Sequence, residues 1–195
     1  SSILLILISN YKSNNFHKVL IFIASCGYAL PGTILAVGIV IFVGWINSII
    51  NFHLSYVAGG FIVLIFAYVT RFLAVGNAAI RSGILKVHPN AMDASTSMGR
   101  GFYQSIRKII LPLIYTNVLI GGILVFVDIL KELPITLLLR PFNFETLSTY
   151  VYQYASDELL QESSFAALII IIVGLGPVIF LNSTLHRVSQ KKRSI

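Results

Sequence analysis

Acidic residues are almost missing before residue 128. Apart from Asp93, every Asp and Glu (Asp128, Glu132, Glu145, Asp157, Glu158 and Glu162) falls within residues 128–162. Charge of either sign is scarce at 11%, against about 25% in soluble domains. With 56% hydrophobic residues and a mean hydropathy of +0.87, the chain reads as an integral membrane protein. Its apolar residues come in long runs, which excludes a barrel built from alternating strands of ~10 residues. The single cysteine, Cys26, lies in an apolar run, so neither a disulfide framework nor a cysteine metal site is expected. His17, His53, His88 and His186 are far apart and match no ligand spacing. No G-x-x-x-x-G-K-[ST] loop is present, so the chain is not expected to hydrolyse ATP itself or to hold a cofactor.

A net charge of +7 raises the question of nucleic acid, but the distribution argues against it. Of the fourteen bases, only Lys131 and Arg140 share the acidic window. Opposite charges are sorted into different segments, as membrane topology sorts them.

A spanning helix needs ~20 mainly apolar residues. Four runs qualify, at about 20–46, 55–75, 113–130 and 164–183. The opening SSILLILISN is read as the tail of a fifth, partial span. GYALPG at 27–32 and GLGP at 174–177 predict a kink or break, because proline removes a backbone donor. Between the runs, segments 10–18 and 76–112 and the tail 184–195 are basic, whereas 46–53 carries no Lys or Arg and 131–163 is acidic. Placing the basic segments in the cytoplasm gives in–out–in–out–in without contradiction and puts 131–163 outside. Trp45 then fits an interfacial anchor.

The stretch DASTSMGRGFYQSIRKIILP, residues 93–112, is the most informative. Pro89 and Asn90 provide helix-start chemistry, and Asp93 falls in the first turn, where its charge suits the positive helix end. Small residues follow (Ala94, Ser95, Thr96, Ser97), then Gly99, a helix stop that permits a left-handed turn. A second helix is predicted with Phe102, Ile106, Ile109, Ile110 and Leu113 on one face and Arg100, Arg107 and Lys108 largely off it. Pro112 marks the start of the third span. Pattern alone is equally compatible with an ordinary basic interfacial loop.

Spacing moves the balance. The cytoplasmic loop of ABC importer permeases reads E-A-A, three residues, G, nine residues, I-x-L-P. Asp93-Ala94-Ser95, Gly99, Ile109, Leu111 and Pro112 fall at those intervals without a gap, with Asp for Glu and Ser for the second Ala. GYALPGTILAVGI, AYVTRFLAV and KELPITLLLRPFNFETL resemble the C-terminal half of ferric-iron permeases of that family, and the resemblance covers nearly the whole chain from about residue 18. It implies an all-α polytopic transmembrane bundle, the type I ABC importer permease fold, as one permease domain over 1–195. Residues 76–112 would be a coupling loop that docks in an ATPase subunit. The partners implied are ATPase subunits, an extracytoplasmic ferric-iron binding protein, the other permease half and the bilayer, in a bacterial inner membrane.

Asp128, Lys131 and Glu132 sit at the outer end of the third run and share a helix face. Two readings stay open. Lys131 pairs with an acid as an interfacial anchor, or the acids line the outer gate and meet Fe(III), which favours carboxylate oxygens. A path should hold its ion weakly, so a transient contact at Asp128 and Glu132 is expected rather than a cage. Arg71, near the inner end of the second run, is expected to snorkel. Arg140 to Phe144 with Glu145 reads as a structured outer loop, and Tyr150, Tyr152 and Tyr154 as an aromatic belt. Asp157, Glu158 and Glu162 either bridge to the binding protein or form a solvated face. Rival readings are a permease for molybdate, sulfate or thiamine, and an ion-coupled secondary transporter or channel, which would not need the docking loop.

Overall fold

The computed structural model describes residues 19, 22, 25–50, 60–88 and 90–193, with backbone alone at 50, 180, 181 and 184–193. The partial N-terminal span, all of segment 10–18 and the start of the second run lie outside the described residues. No strand occurs among the described residues. The helices are α1 (Gly32–Ile50), α2 (Phe61–Ile84), α3 (Ala91–Ser97), α4 (Phe102–Ser105), a π segment (Ile106–Ile110), α5 (Leu111–Leu130), α6 (Pro134–Leu139), α7 (Leu147–Ser156) and α8 (Leu160–Arg193). Among the described residues, four stretches are long and apolar enough to cross a membrane: Gly32–Ile49, Phe61–Ile84, Phe102–Leu130 and Leu160–Ile179. The protein is a multi-pass membrane protein.

Several expected boundaries move. The first run is broken as GYALPG predicts: residues 25–29 are helical, Leu30 bends, and α1 starts beyond Pro31, whose carbonyl accepts from Leu35 N–H at 3.1 Å. The second span does not stop near 75 but continues to Ile84. Arg71 therefore lies close to the midpoint of α2, half-buried, and not at its inner end. Pro112 does not separate a surface helix from the third span, because the chain stays helical from Phe102 to Leu130. Proline at 112 has no N–H, and its ring crowds the preceding turn. The five residues before Leu111 take up π winding, with hydrogen bonds to the fifth residue on instead of the fourth. Pro177 lies inside α8, which runs on as one helix.

The described residues fall into two compact units, one within 1–29 and 71–125, the other within 30–70 and 126–195. In the second, α1, α2 and α6 each contribute a short buried stripe: Leu35, Ala36 and Ile39; Val63, Leu64 and Ala67; Ile135 and Leu139. Ala36 and Ala67 are fully buried, and small side chains let helix backbones approach. Lipid tails are as apolar as leucine, so this core holds by close packing and not by escape from water.

In the first unit, α2 and α5 approach still more closely. A Cβ built on Gly83 would meet Asn117 Cβ at 2.7 Å, and one on Gly121 would meet Ala79 Cβ at 3.0 Å. Asn117 donates to Ser82 Oγ at 3.0 Å and more weakly to the Ala79 carbonyl at 3.4 Å. Below that seam, Ile80, Ile84, Met92, Ile106, Ile110 and Ile114 form one buried cluster.

Candidate functional site: the connection between the second and third spans

The short helix α3 begins at Ala91, which leaves Asp93 in its first turn, as the sequence predicts. Asn90 precedes it in a helical conformation and makes no side-chain cap, so Asn90 contributes no capping oxygen. Helix α3 turns two residues inward, Met92 and Ser95, at the i, i+3 spacing that shares a face. Met92 joins the isoleucine cluster and so fastens the helix to the ends of α2 and of the third span. Asp93, Ala94, Thr96, Ser97 and Met98 all lie exposed.

The stop after α3 is a complete Schellman motif. Gly99 N–H donates to the Thr96 carbonyl at 2.9 Å and Arg100 N–H to the Ser95 carbonyl at 3.3 Å. Gly99 has φ +79°, the left-handed region that favours glycine, and a Cβ there would touch nothing within 4 Å. What glycine supplies at this position is backbone freedom and not room.

Beyond the turn, the buried face differs from the one predicted. Ile106 and Ile110 are buried as expected and Ile109 is half-buried, but Phe102 and Leu113 are exposed, and Ile114 takes the inner position. The π winding accounts for this, because a wider turn aligns residues four apart (106, 110, 114) where an α-helix would drift toward 113. Leu111 is half-buried and Pro112 exposed. Arg81, Lys86, Arg100, Arg107 and Lys108 are all exposed in this unit, where Asp93 is the one acid between 71 and 125. The sequence reading missed Met92 and Ser105. Met92 was open to it from its spacing to Ser95. Ser105 gave no signal, since its role depends on which residue of another helix it meets. Its Oγ lies 2.7 Å from Ser95 Oγ, with both residues buried.

The acidic connection after the third span is built otherwise. Lys131 Nζ lies 2.9 Å from Asp128 Oδ1, so Lys131 does pair with an acid. Glu132 turns inward at 7% exposure, and its Oε1 accepts from Ile135 N–H at 3.3 Å at the start of α6. The Glu132 carbonyl accepts from Thr136 Oγ1 at 3.0 Å and Ser148 Oγ at 2.9 Å, and the Tyr68 and Thr136 hydroxyls are bonded. Arg140 and Glu145 pair at 2.8 Å across a turn in which Asn143 has φ +59°. That turn holds Phe144 edge-on to Phe61 and leaves Phe142 99% exposed. Helix α7 opens on a capping box, with Thr146 and Thr149 each bonding the other's backbone N–H. The Tyr150 and Tyr154 rings sit 4.2 Å apart, and their hydrogen bond pushes the Tyr150 hydroxyl above its ordinary pKa. Asp157 and Glu158 lie exposed at the end of α7, Glu158 with φ +61°. No group of three or more His, Cys, Asp and Glu side chains that could hold a metal ion occurs among the described residues.

A family model described as "binding-protein-dependent transport system inner membrane component" matches residues 2–194. The chain is also 28% identical over 155 residues to the Fe(3+)-transport system permease protein FbpB 2 of Haemophilus influenzae. That match covers 79% of this chain and 29% of the relative, so the chain spans less than a third of that relative's length.

Proposed function

Because the chain belongs to the family of binding-protein-dependent transport system inner membrane components, we propose that it is a membrane-spanning half of an ATP-driven ferric-iron importer. The observation that carries the coupling part is α3 itself. It is anchored from behind by Met92 and Ser95, ended by a Schellman turn, and presents Asp93, Ala94 and Ser97 outward. Such a helix suits a cleft in an ATPase subunit: small residues permit close seating, and the isoleucine cluster passes the subunit's motion to two spans. The chain is then not an enzyme. The partner hydrolyses ATP, and its closure and release switch the spans between outward- and inward-facing states.

The printed name of the Haemophilus influenzae relative supports iron as cargo. On this reading, an extracytoplasmic binding protein delivers the ion on the side of residues 131–163, with Arg140, Glu145, Asp157 and Glu158 among its contacts. Residues 76–112 and the tail face the cytoplasm of a bacterial inner membrane, and a second permease half completes the path. Asp128 and Glu132 are already engaged, by Lys131 and by Ile135 N–H. An ion meets either carboxylate only by displacing that partner, which fits passage better than storage.

The cargo is tested by reconstituting the complete transporter with its binding protein in proteoliposomes. ATP-dependent accumulation of radiolabelled ferric iron is expected. Accumulation of molybdate, sulfate or thiamine in its place would overturn the assignment, and uptake driven by an ion gradient without ATP would overturn the class.

A further inference from the structure

We propose that Ser105 is the positioning residue that fixes the pitch of α3 for docking, acting through a single hydrogen bond to Ser95. The inference deepens the coupling role proposed above and rests on it. Two side chains hold α3 from behind. Met92 does so by apolar contact, which has no preferred direction. Ser95 does so by a hydrogen bond, which has one. The direction of that bond follows from counting protons. Ser105 Oγ lies 3.1 Å from the Gly101 carbonyl, to which it donates. A serine hydroxyl has one proton. While Ser105 gives that proton to Gly101, the donor in the 2.7 Å contact is Ser95, and Ser105 accepts. The bonds run in sequence from α3 to Ser105 and on to Gly101, bracing both sides of the reversal at Gly99.

The departure from the permease pattern at position 95 has its explanation here. An alanine at that point needs no partner. A serine at 2% exposure does, because a buried hydroxyl without one is costly. Ser105, fully buried, is placed to supply it.

The proton count makes the two single variants unequal. In S95A, Ser105 still donates to Gly101 and nothing buried is orphaned. In S105A, the Ser95 donor loses its acceptor and must turn to a carbonyl of its own helix, which frees α3 from its tie to Ser105. S95A/S105A removes both groups and returns the pair to an apolar contact.

The test measures binding of the cognate ATPase subunit to the complete solubilised permease, for the parent, S95A, S105A, S95A/S105A and the docking control D93K. We expect all three serine variants to weaken binding because each lacks the bond, S105A most, by about tenfold, and the double variant no more than S105A. If the two single losses simply multiplied in the double variant, the serines would not act through one bond, and that result overturns the proposal. S105A binding like the parent while D93K is weakened also overturns it. D93K binding like the parent would sink the docking role itself and the positioning role with it. Should S105A fail to insert, S95A decides: weaker binding than the parent supports the bond, and binding like the parent excludes it.

Discussion

Between α2 and the third span, the chain hides two uncharged side chains and leaves its charges out. Met92 and Ser95 face in, while Asp93, Lys86 and Arg100 are exposed, as are Arg81, Arg107 and Lys108 on the flanking span ends. Between the third span and α8, most charges are engaged within the connection, while Asp157 and Glu158 lie exposed. Glu132 is buried at the start of α6, Lys131 pairs with Asp128, and Arg140 with Glu145. Both stretches are polar chain between apolar spans and both have an apolar anchor, Met92 in one and Ile135 with Leu139 in the other. Yet only the second ties its charges into hydrogen bonds and ion pairs. A surface meant to be gripped by another protein needs its exposed groups uncommitted and its foundation elsewhere. A surface that must keep its shape in water can spend its polar groups on itself.

The largest test of this contrast is at Gly99. Its φ of +79° penalises any Cβ by about 1–2 kcal/mol, although nothing there would clash. Gly99→Val should abolish ATP-driven uptake with membrane insertion intact. Gly99→Asn should retain a substantial part, since asparagine tolerates the left-handed region. If Val and Asn behaved alike, the turn would not be what matters.

On the other connection the expected loss is of stability. Glu132→Ala uncaps Ile135 N–H and should cost about 1 kcal/mol, read as a lower unfolding midpoint in detergent. Glu132→Gln keeps an acceptor and should cost less. Arg140→Ala breaks a partly exposed pair and should cost under ~1 kcal/mol, with a loss that shrinks as salt is added. Lys131→Ala should be smallest, a few tenths of a kcal/mol, because Lys131 is 65% exposed. A large effect of Lys131→Ala on uptake with no effect on stability would assign that pair to the transport path.

Much of this was legible from residue type and spacing. The four spans follow from apolar runs, the break at Pro31 from the missing donor, and the left-handed turn from glycine at 99. What was not legible depends on winding or on distant partners. The π segment shifted the buried face from Leu113 to Ile114, and no residue in IRKII announces π winding. The length of α2 was hidden because Asn77, Arg81 and Ser82 interrupt the apolar run at its lower end, and Arg71 was misplaced for that reason. Glu132 looked like a member of an acid cluster. Its burial depends on α6 starting just beyond it, at Pro134. The Ser95–Ser105 bond joins two positions whose pairing only the fold decides.

The central claim, that the exposed face of α3 conveys ATP-driven motion to the spans, is tested most directly by uptake with Asp93→Lys. Proteoliposomes holding the complete transporter, its ATPase subunits and its binding protein would be compared for parent and variant at equal permease content. The account predicts ATP-dependent import of radiolabelled ferric iron by the parent and none by the variant. Import by the variant at the parent's rate would contradict it.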